Sequence, residues 1–453
     1  MPRLFGTDGV RGIANLELTP ALALDLGRAA ATAFRSQHTR PAVLIVRDTR
    51  RSGDLLGAAL SAGLMSAGSD VLECGVLPTP AAAFLATDLH TDAGAVVSAS
   101  HNPADHNGIK FFGPDGFKLT DEQESRIEAL LGGSGATDLA PPVVGAAVGK
   151  ISVLGDAEDR YVAHALRSLE GRRLDGLKIV VDCANGAAYR TSPRALAEAG
   201  AEVVAINDEP DGMNINVGCG STDLRPVSEA VVACGADLGL AHDGDADRVL
   251  AVDANGVLVD GDAIIAILAR ELKEKDRLPG DLVVTTVMAN LGFRVAMTAA
   301  GIDLIETAVG DRYVIEAMRR HGVEIGGEQS GHVILADCST TGDGLITGLR
   351  LAGRVVSTGR PLSELATVVE RFPQVLVNVP VRDRDALRDA ASVWKAVEGA
   401  EASLGQLGRV LVRPSGTEAV VRVMVEAADQ ALADEAAASI VAAVLADLGP
   451  PDE

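Results

Sequence analysis

The sequence predicts an α/β protein made of four units, of which three are α/β and the last is a smaller α+β unit. Three observations support this prediction. Short runs of β-branched residues alternate with Ala- and Leu-rich segments of helical spacing, which is typical of βα repeats with mostly parallel sheets. The chain has 453 residues, enough for about three domains of roughly 150 residues each. After residue 370 the pattern changes to strands of antiparallel character and an Ala-rich terminal helix.

The individual elements follow from the same patterns. Strands are predicted where a β-branched run meets turn or polar residues, at 42–48, 94–100, 177–183, 202–207, 238–243, 282–287 and 323–328. Helices are predicted to begin near Leu22, Leu55, Ser192, Ile264 and Tyr313. In the last unit, strands are predicted at 375–381, 409–413 and 419–426.

Breaks between the units are marked by turn-forming residues. A Gly- and Pro-rich stretch at 132–142 is the best early linker, residues 252–256 form a hairpin signal, and Phe372-Pro373 precedes the antiparallel part. We therefore expect domains at 1–152, 153–252, 253–370 and 371–453.

Composition excludes several classes of function. The formal net charge is −23, from 40 basic and 63 acidic residues, whereas nucleic-acid binders present a basic face. No run of about 18 apolar residues could span a bilayer, and the first residues lack an apolar signal-peptide core. The five cysteines are odd in number and have no C-x-x-C spacing. We expect a cytoplasmic protein without nucleic-acid or membrane partners.

Two polar motifs follow predicted strands, where ligands bind in open α/β sheets. Residues 98–103 read Ser-Ala-Ser-His-Asn-Pro, which is either an exposed serine that needs activation or a plain turn. Asp243, Asp245 and Asp247 repel one another unless a cation lies among them, and all-oxygen ligation suits a hard ion such as Mg²⁺. An EF-hand is excluded because Arg248 and Ala254 stand where it needs Gly and Glu. A solvated acidic loop is the other reading.

Two further motifs carry ligand-binding chemistry. Residues 326–332 read Gly-Gly-Glu-Gln-Ser-Gly-His, and their polar side chains suit sugar hydroxyls, although a tight hairpin of incidental polarity has the same pattern. Residues 413–418 read Arg-Pro-Ser-Gly-Thr-Glu, and with Arg422 they could bind a phosphate through guanidinium, hydroxyl and backbone N–H groups. An ordinary polar loop is the alternative.

These four motifs, together with Phe-Gly-Thr-Asp-Gly-Val-Arg-Gly at 5–12 and Asp-Gly-Met-Asn-Ile-Asn at 211–216, resemble the α-D-phosphohexomutase superfamily over essentially the whole chain. The resemblance implies a four-domain architecture. Its domains would carry, in order, a phosphoserine (1–152), a metal site (153–252), a sugar site (253–370) and a phosphate site (371–453).

The resemblance also implies roles for individual residues. Ser100, which immediately precedes His-Asn-Pro, would be the phosphoserine. One Mg²⁺ per chain would be held by phosphorylated Ser100, Asp243, Asp245 and Asp247. Arg11, Lys110 and His101 would lie beside the transferring phosphoryl group, with His101 favoured as a neighbour over an acid or base. Substrate contacts would come from Glu328, Ser330, His332, Arg413, Ser415, Gly416, Thr417 and Arg422.

The implied reaction moves a phosphate between the 1- and 6-oxygens of a small phosphosugar, through a 1,6-bisphosphate that also serves as activator. Gln329, residues 218–223 and the N-terminal motif look like the phosphoglucosamine mutase branch, which supplies amino-sugar nucleotides and cell-wall precursors. The phosphomannomutase/phosphoglucomutase branch is the alternative. A non-catalytic sugar-phosphate binding protein is a third reading, and the sequence allows a homodimer.

Overall fold

A computed structural model describes residues 4–6, 8–35, 40–132, 143–415 and 419–449. The chain divides into two compact units. Unit 1 comprises Met1–Met288 and Ile302–Val368, and unit 2 comprises Ala289–Gly301 and Val369–Glu453. A segment in the middle of the chain therefore belongs with the C-terminal part.

The first sheet of unit 1 has six strands. They are β1 (Val10–Ile13), β2 (Ala42–Arg47), β3 (Asp70–Val76), β4 (Ala93–Val97), β5 (His106–Phe112) and β6 (Ile151–Val153), in the order β1-β5-β4-β2-β3-β6. Strands β4, β2, β3 and β6 pair in parallel, and β5 pairs antiparallel with β1 and β4. The helices of this region are α1 (Pro20–Phe34), α2 (Ser52–Ser66), α3 (Thr79–Asp88) and α4 (Asp121–Gly132).

The second sheet has five strands. They are β7 (Lys178–Asp182), β8 (Glu202–Ile206), β9 (Leu238–His242), β10 (Val249–Asp253) and β11 (Leu258–Val259), in the order β11-β10-β9-β7-β8. The parallel part is β9-β7-β8, and β10 and β11 add antiparallel strands. The helices are α5 (Ala157–Arg167), α6 (Thr191–Ala199) and α7 (Arg225–Cys234).

The third sheet has four strands. They are β12 (Leu282–Thr286), β13 (Asp303–Thr307), β14 (Ile325–Gly327) and β15 (Val333–Leu335), in the order β13-β12-β14-β15. Only the β14–β15 pairing is antiparallel. The helices of this region within unit 1 are α8 (Gly261–Glu274), α10 (Asp311–His321), α11 (Gly344–Thr358) and α12 (Leu362–Ala366).

Unit 2 contains an antiparallel sheet in the order β16-β18-β17, formed by β16 (Gln374–Pro380), β17 (Gly408–Pro414) and β18 (Val420–Ala427). Its helices are α9 (Leu291–Ala299), α13 (Ala391–Leu404) and α14 (Gln430–Leu448). Valines of the strands and apolar residues of α13 and α14 form its core. The predicted fold class, three mixed α/β sheets and a smaller antiparallel C-terminal unit, is confirmed.

The predicted strands and helices are present, with boundaries that local chemistry shifts. The predicted strand 94–100 ends at Val97, and Ser100, with φ +53°, lies outside the β region. The strand predicted at 323–328 is reduced to Ile325–Gly327. Helix α1 starts before Leu22, since Thr19 caps it by accepting a hydrogen bond from the Leu22 N–H. The predicted linker at 132–142 lies, from residue 133 onward, outside the described residues.

The turn predicted at 252–256 joins β10 to β11, with the Asp253 N–H donating to the Val257 carbonyl over 2.9 Å. All five cysteines are free thiols. Among the described residues, no helix has both the length and the apolar character needed to cross a membrane.

Helices α1 and α2 cross closely because glycines stand at their contact. A Cβ placed on Gly63 would lie 2.0 Å from the Leu24 carbonyl oxygen, and one on Gly27 would lie 2.4 Å from the Leu60 carbonyl oxygen. Gly57 also lies in α2, but its Cβ would meet no atom within 4 Å. The same residue type therefore has a packing role at Gly63 and none at Gly57.

We predict that Gly63→Ala lowers the free energy of unfolding by roughly 1–3 kcal/mol, because the added methyl group forces the two helices apart. Gly57→Ala, the matched control, should raise it by about 0.5–1 kcal/mol through better helix propensity. Thermal unfolding of both variants measures the difference, and equal melting temperatures would contradict this account of the helix crossing.

Candidate active site

Ser100 lies just beyond the carboxyl end of β4, in a turn rather than in the strand. It is 1% exposed, and its Oγ donates a hydrogen bond to Asp243 Oδ2 over 2.7 Å. His101 Nδ1 lies 3.3 Å from the same Oγ. The structure therefore brings Ser100 to the acidic motif, 143 residues away in the chain.

Asp243, Asp245 and Asp247 occupy the loop that follows β9. Their relative exposures are 0%, 1% and 3%, so the loop is not a solvated acidic turn. One carboxylate oxygen of each lies within 4.8 Å of the others. The Oδ1 atoms of Asp245 and Asp247 are both buried. Asp245 Oδ1 has no hydrogen-bond partner among the described residues, whereas Asp247 Oδ1 lies 3.6 Å from His332 Nδ1 and 3.8 Å from Arg248 Nε. Three buried carboxylates at this spacing, one of them with an unpartnered oxygen, fit a hard divalent cation.

The electrostatics of the trio agree with that fit. Burial, followed by the charges of Asp247 and Asp245, raises the pKa of Asp243 well above its ordinary value. Burial alone would also raise the pKa of Asp247, but the His332 ring, Lys110 and Arg248 together lower it. Like charges held this close in a buried site are unfavourable unless positive charge lies among them.

Lys110 on β5 is one source of positive charge. Its Nζ lies 2.8 Å from Asp245 Oδ2, 3.7 Å from Asp247 Oδ2 and 3.6 Å from Asp8 Oδ2. Burial alone would lower the pKa of Lys110, but these three carboxylates raise it well above its ordinary value. Arg11 on β1 forms an ion pair with Asp8. Lys110 therefore lies beside the acidic trio, and Asp8 contacts both Lys110 and Arg11.

Thr79 and Arg248 also contact the trio, although neither was predicted from the sequence as a site residue. Thr79, at the start of α3, donates its Oγ1–H to Asp245 Oδ2 over 2.6 Å and its N–H to the Asp245 carbonyl over 2.9 Å. The Arg248 N–H donates to Asp243 Oδ1 over 3.2 Å, and its Nη1 lies 3.1 Å from His101 Nδ1. The position of Arg248, directly after Asp247, was a signal in the sequence from which it could have been predicted. Nothing in the sequence around Thr79 indicates its contact with Asp245.

Residues 326–332 run from the end of β14 through a tight turn into β15, with which β14 pairs antiparallel. Glu328 is half-buried and Ser330 is exposed, and the Gly310 N–H donates to Glu328 Oε1 over 3.1 Å. Gly331 has φ +92°, and a Cβ there would lie 2.3 Å from the Val249 carbonyl oxygen. The turn is therefore packed against β10, with Ser330 left accessible to a ligand.

His332 is only 2% exposed. Its Nε2 accepts a hydrogen bond from the Gly342 N–H over 3.1 Å, so the ring proton lies on Nδ1, which is 3.6 Å from Asp247 Oδ1. Direct sugar contact by His332 stays a prediction. In this geometry the ring faces the carboxylate of Asp247.

Unit 2 carries the predicted phosphate-binding residues. Arg413 on β17 lies directly opposite Arg422 on β18, so the two guanidinium groups extend from the same face of the sheet. Burial and the charge of Arg422 lower the pKa of Arg413. Ser415 is 3% exposed, whereas Gly416 and Thr417 lie outside the described residues. Two like charges in directly paired positions favour an anion between them.

Four family models match the chain. They are the phosphoglucomutase/phosphomannomutase α/β/α domains I (residues 2–135), II (159–256) and III (260–372), and the C-terminal domain of the same family (376–443). Together they cover most of the chain in the order of the predicted domains.

Proteins of similar sequence indicate one branch of this family. The chain is 55% identical over 448 residues to a phosphoglucosamine mutase from Arthrobacter sp. FB24, covering 98% of each chain. It is 56% identical over 446 residues to a phosphoglucosamine mutase from Rhodococcus opacus, covering 97% of this chain and 99% of that one.

A solved structure shares the fold. A phosphoglucomutase/phosphomannomutase family protein from Burkholderia thailandensis matches with a TM-score of 0.81 at 25% identity, over 98% of this chain and 97% of that one. With four matching domain models and relatives of this identity over the whole chain, the protein belongs to the phosphoglucosamine mutase family of the phosphohexomutases and is an isomerase.

Proposed function

We propose that the enzyme interconverts glucosamine 6-phosphate and glucosamine 1-phosphate, with Ser100 as the phosphoserine that lends and recovers the phosphoryl group. The observation that carries this proposal is the 2.7 Å contact between Ser100 Oγ and Asp243 Oδ2 in a buried acidic site. A hydroxyl at the edge of a cation-binding trio is where a phosphoryl group would complete the ligand shell.

The cation of the proposal is one Mg²⁺ per chain, held by Asp243, Asp245, Asp247 and the phosphate on Ser100. When bound, Mg²⁺ would withdraw negative charge from the phosphoryl group. The spacing of the three carboxylates and the unpartnered Oδ1 of Asp245 support this ligand set.

In the proposed transfer, the bond between phosphorus and Ser100 Oγ breaks as a bond forms to the free 1- or 6-oxygen of the sugar. The sugar hydroxyl gives up its proton, Ser100 regains one, and the product is the 1,6-bisphosphate. After the bisphosphate reorients, the other phosphate returns to Ser100. Lys110 and Arg11 would stabilise charge on the transferring oxygens. We assign Lys110 this role rather than that of a base, because its neighbouring carboxylates keep it protonated.

His101 is proposed to orient Ser100 rather than to exchange protons with the sugar, since Arg248 Nη1 approaches its Nδ1. Glu328, Ser330 and His332 are proposed for the sugar site. The phosphate that is not reacting would be bound by Arg413, Ser415, Gly416, Thr417 and Arg422. The support for this site is the direct pairing of Arg413 with Arg422 across β17 and β18.

The names of the relatives favour glucosamine phosphate over the hexose phosphates of the phosphomannomutase/phosphoglucomutase branch. The proposed setting is the cytoplasm, where the product would feed amino-sugar nucleotide and cell-wall precursor synthesis. We keep 1–152, 153–252, 253–370 and 371–453 as the proposed domains and a homodimer as an assembly to test.

A side-by-side assay decides the substrate: we expect higher kcat/KM on glucosamine 6-phosphate than on glucose 6-phosphate, and the reverse order would place the enzyme in the phosphomannomutase/phosphoglucomutase branch.

We predict that enzyme stripped of phosphate is inactive on glucosamine 6-phosphate alone, because it has no phosphoryl group to lend. Glucosamine 1,6-bisphosphate should restore activity by phosphorylating Ser100. Intact-mass measurement and activity, before and after phosphatase treatment, test this. Ser100→Ala should neither acquire phosphate nor regain activity when the bisphosphate is added. Ser98→Ala keeps the Ser100 hydroxyl that accepts the phosphate, so the bisphosphate should restore its activity. Full activity of dephosphorylated enzyme without bisphosphate would exclude the phosphoserine mechanism.

We predict that Asp245→Asn lowers kcat on the order of 100-fold, because the carboxylate is proposed as a ligand of the metal. In the wild type, Mg²⁺ should also raise the melting temperature, and in Asp245→Asn this shift should be lost. Asp253→Asn, a buried and isosteric change on β10, serves as the control and should retain the shift. A magnesium-dependent shift of normal size in Asp245→Asn would refute the ligand assignment.

We predict that Arg413→Gln raises KM for the sugar phosphate by roughly 10- to 100-fold, the range expected for one charge-assisted hydrogen bond to phosphate. The rate should fall too, because binding of the remote phosphate orients the reacting end. Arg388→Gln removes an exposed charge from the same unit and should leave both constants unchanged. If Arg413→Gln matches that control, Arg413 does not bind substrate.

A further inference from the structure

We propose that Asp48, Arg50 and Asn216 are positioning residues that hold Ser100 in a left-handed backbone conformation, from which its hydroxyl faces the acidic trio. Together with Ser98 they form what we call the positioning network. None of these four residues is assigned a contact with sugar or metal. The proposal rests on the proposed function in one respect, namely that Ser100 is the residue that is phosphorylated.

Arg50 is the centre of the network. Its side chain is fully buried, at 0% exposure, which is rare for an arginine unless it is paired. The Nε–H donates to Asp48 Oδ2 over 2.8 Å. The two terminal nitrogens donate to four carbonyl oxygens, those of Ser100, Asn102 and Pro103 in the loop after β4 and that of His106 at the start of β5. The guanidinium donors are therefore used by Asp48 and by backbone carbonyl groups rather than by a ligand.

Asn216 holds two of the same carbonyl groups from the second α/β region. Its Nδ2 donates to the Ser100 carbonyl over 2.9 Å and to the Asn102 carbonyl over 3.2 Å. The Ser100 and Asn102 carbonyl oxygens thus each accept one hydrogen bond from Arg50 and one from Asn216. A carbonyl oxygen has two lone pairs, so both acceptors are saturated.

The backbone N–H of Ser100 is linked to the Asp48 carboxylate through the side chain of Ser98. The Ser100 N–H donates to Ser98 Oγ over 3.0 Å, and Ser98 Oγ–H donates to Asp48 Oδ2 over 2.5 Å. Asp48 also accepts the Arg50 N–H at Oδ1 over 2.9 Å. Both backbone polar groups of Ser100 are therefore connected, directly or through one side chain, to the buried Asp48–Arg50 pair.

This network supports a conformation that Ser100 would not choose alone. Its φ is +53°, in the region that residues with a Cβ seldom occupy. Residues held in such conformations persist when their surroundings impose them, and they concentrate at functional sites. Here the imposed conformation accompanies the 2.7 Å contact of Ser100 Oγ with Asp243. Release of the loop should misalign the phosphoryl group with the attacking oxygen, which costs rate more than affinity.

The first test uses Asn216→Gly. Asn216 itself has φ +60°, so glycine keeps the backbone there and removes only the amide that holds the two carbonyls. The matched control is Asn207→Gly, where φ is +49° and the lost hydrogen bond goes to Asp182. Each enzyme, previously dephosphorylated, is mixed with glucosamine 1,6-bisphosphate, and phosphate gain on Ser100 is followed by intact mass.

We expect Asn216→Gly to acquire phosphate roughly 10- to 100-fold more slowly than wild type, with kcat reduced by a similar factor and KM little changed. Asn207→Gly should match wild type. Acquisition at the wild-type rate by Asn216→Gly would overturn the role of Asn216. If wild-type enzyme itself acquires no phosphate, the proposed function fails instead, and the network is judged by the second test alone.

The second test measures the imposed conformation without any activity. Ser100→Gly should melt at a higher temperature than Ser100→Ala, because glycine adopts positive φ freely and alanine does not. In an Arg50→Lys background the loop is less constrained, and the advantage of glycine over alanine should shrink or reverse. Should Arg50→Lys fail to fold, the Asn216→Gly background serves the same purpose. A melting temperature of Ser100→Gly at or below that of Ser100→Ala, with Arg50 and Asn216 intact, would overturn the proposal.

Discussion

Three carboxylates lie in one buried loop, and their mutual repulsion is the constraint that the surrounding residues must compensate. Asp243, Asp245 and Asp247 are all nearly inaccessible, so solvent cannot screen them. Positive charge and hydrogen-bond donors therefore have to come from the protein or from a bound cation. Part of this compensation comes from Lys110, Thr79 and the Arg248 N–H. Asp245 Oδ1 has no such partner among the described residues and is available as a ligand for a metal ion.

The elements that meet this need come from different sheets. Lys110 lies on β5 and Thr79 starts α3, both from the first α/β region, whereas the carboxylates follow β9 of the second. His332, next to β15 of the third, faces Asp247. Loops at the ends of strands are the part of an α/β fold that tolerates such polar groups. The acidic loop thus draws three sheets of unit 1 into one site.

Backbone conformation is the second demand that the site makes. Ser100, Asn216 and Ala246 all have positive φ without being glycine, and Gly244 leaves no space for a Cβ, which would lie 2.6 Å from the Ser100 carbonyl oxygen. Compact turns of this kind keep the loop that carries Ser100 against the acidic loop. In unit 2, by contrast, the regular register of β17 and β18 is sufficient, because direct strand pairing sets Arg413 beside Arg422.

Local pattern was enough to determine the fold class, the alternation of strands and helices, and the four motifs. These depend on periodicity and on residue chemistry, which are visible along the chain. The acidic trio could be recognised because its members are two residues apart in one loop. Three-dimensional structure alone revealed that Ser100 touches Asp243, that Thr79 supports Asp245, and that Arg50 holds the loop of Ser100. Each of these contacts joins residues about 50 to 170 positions apart, and hydrogen bonds of that span depend on how strands are ordered in the sheets, which no local pattern encodes.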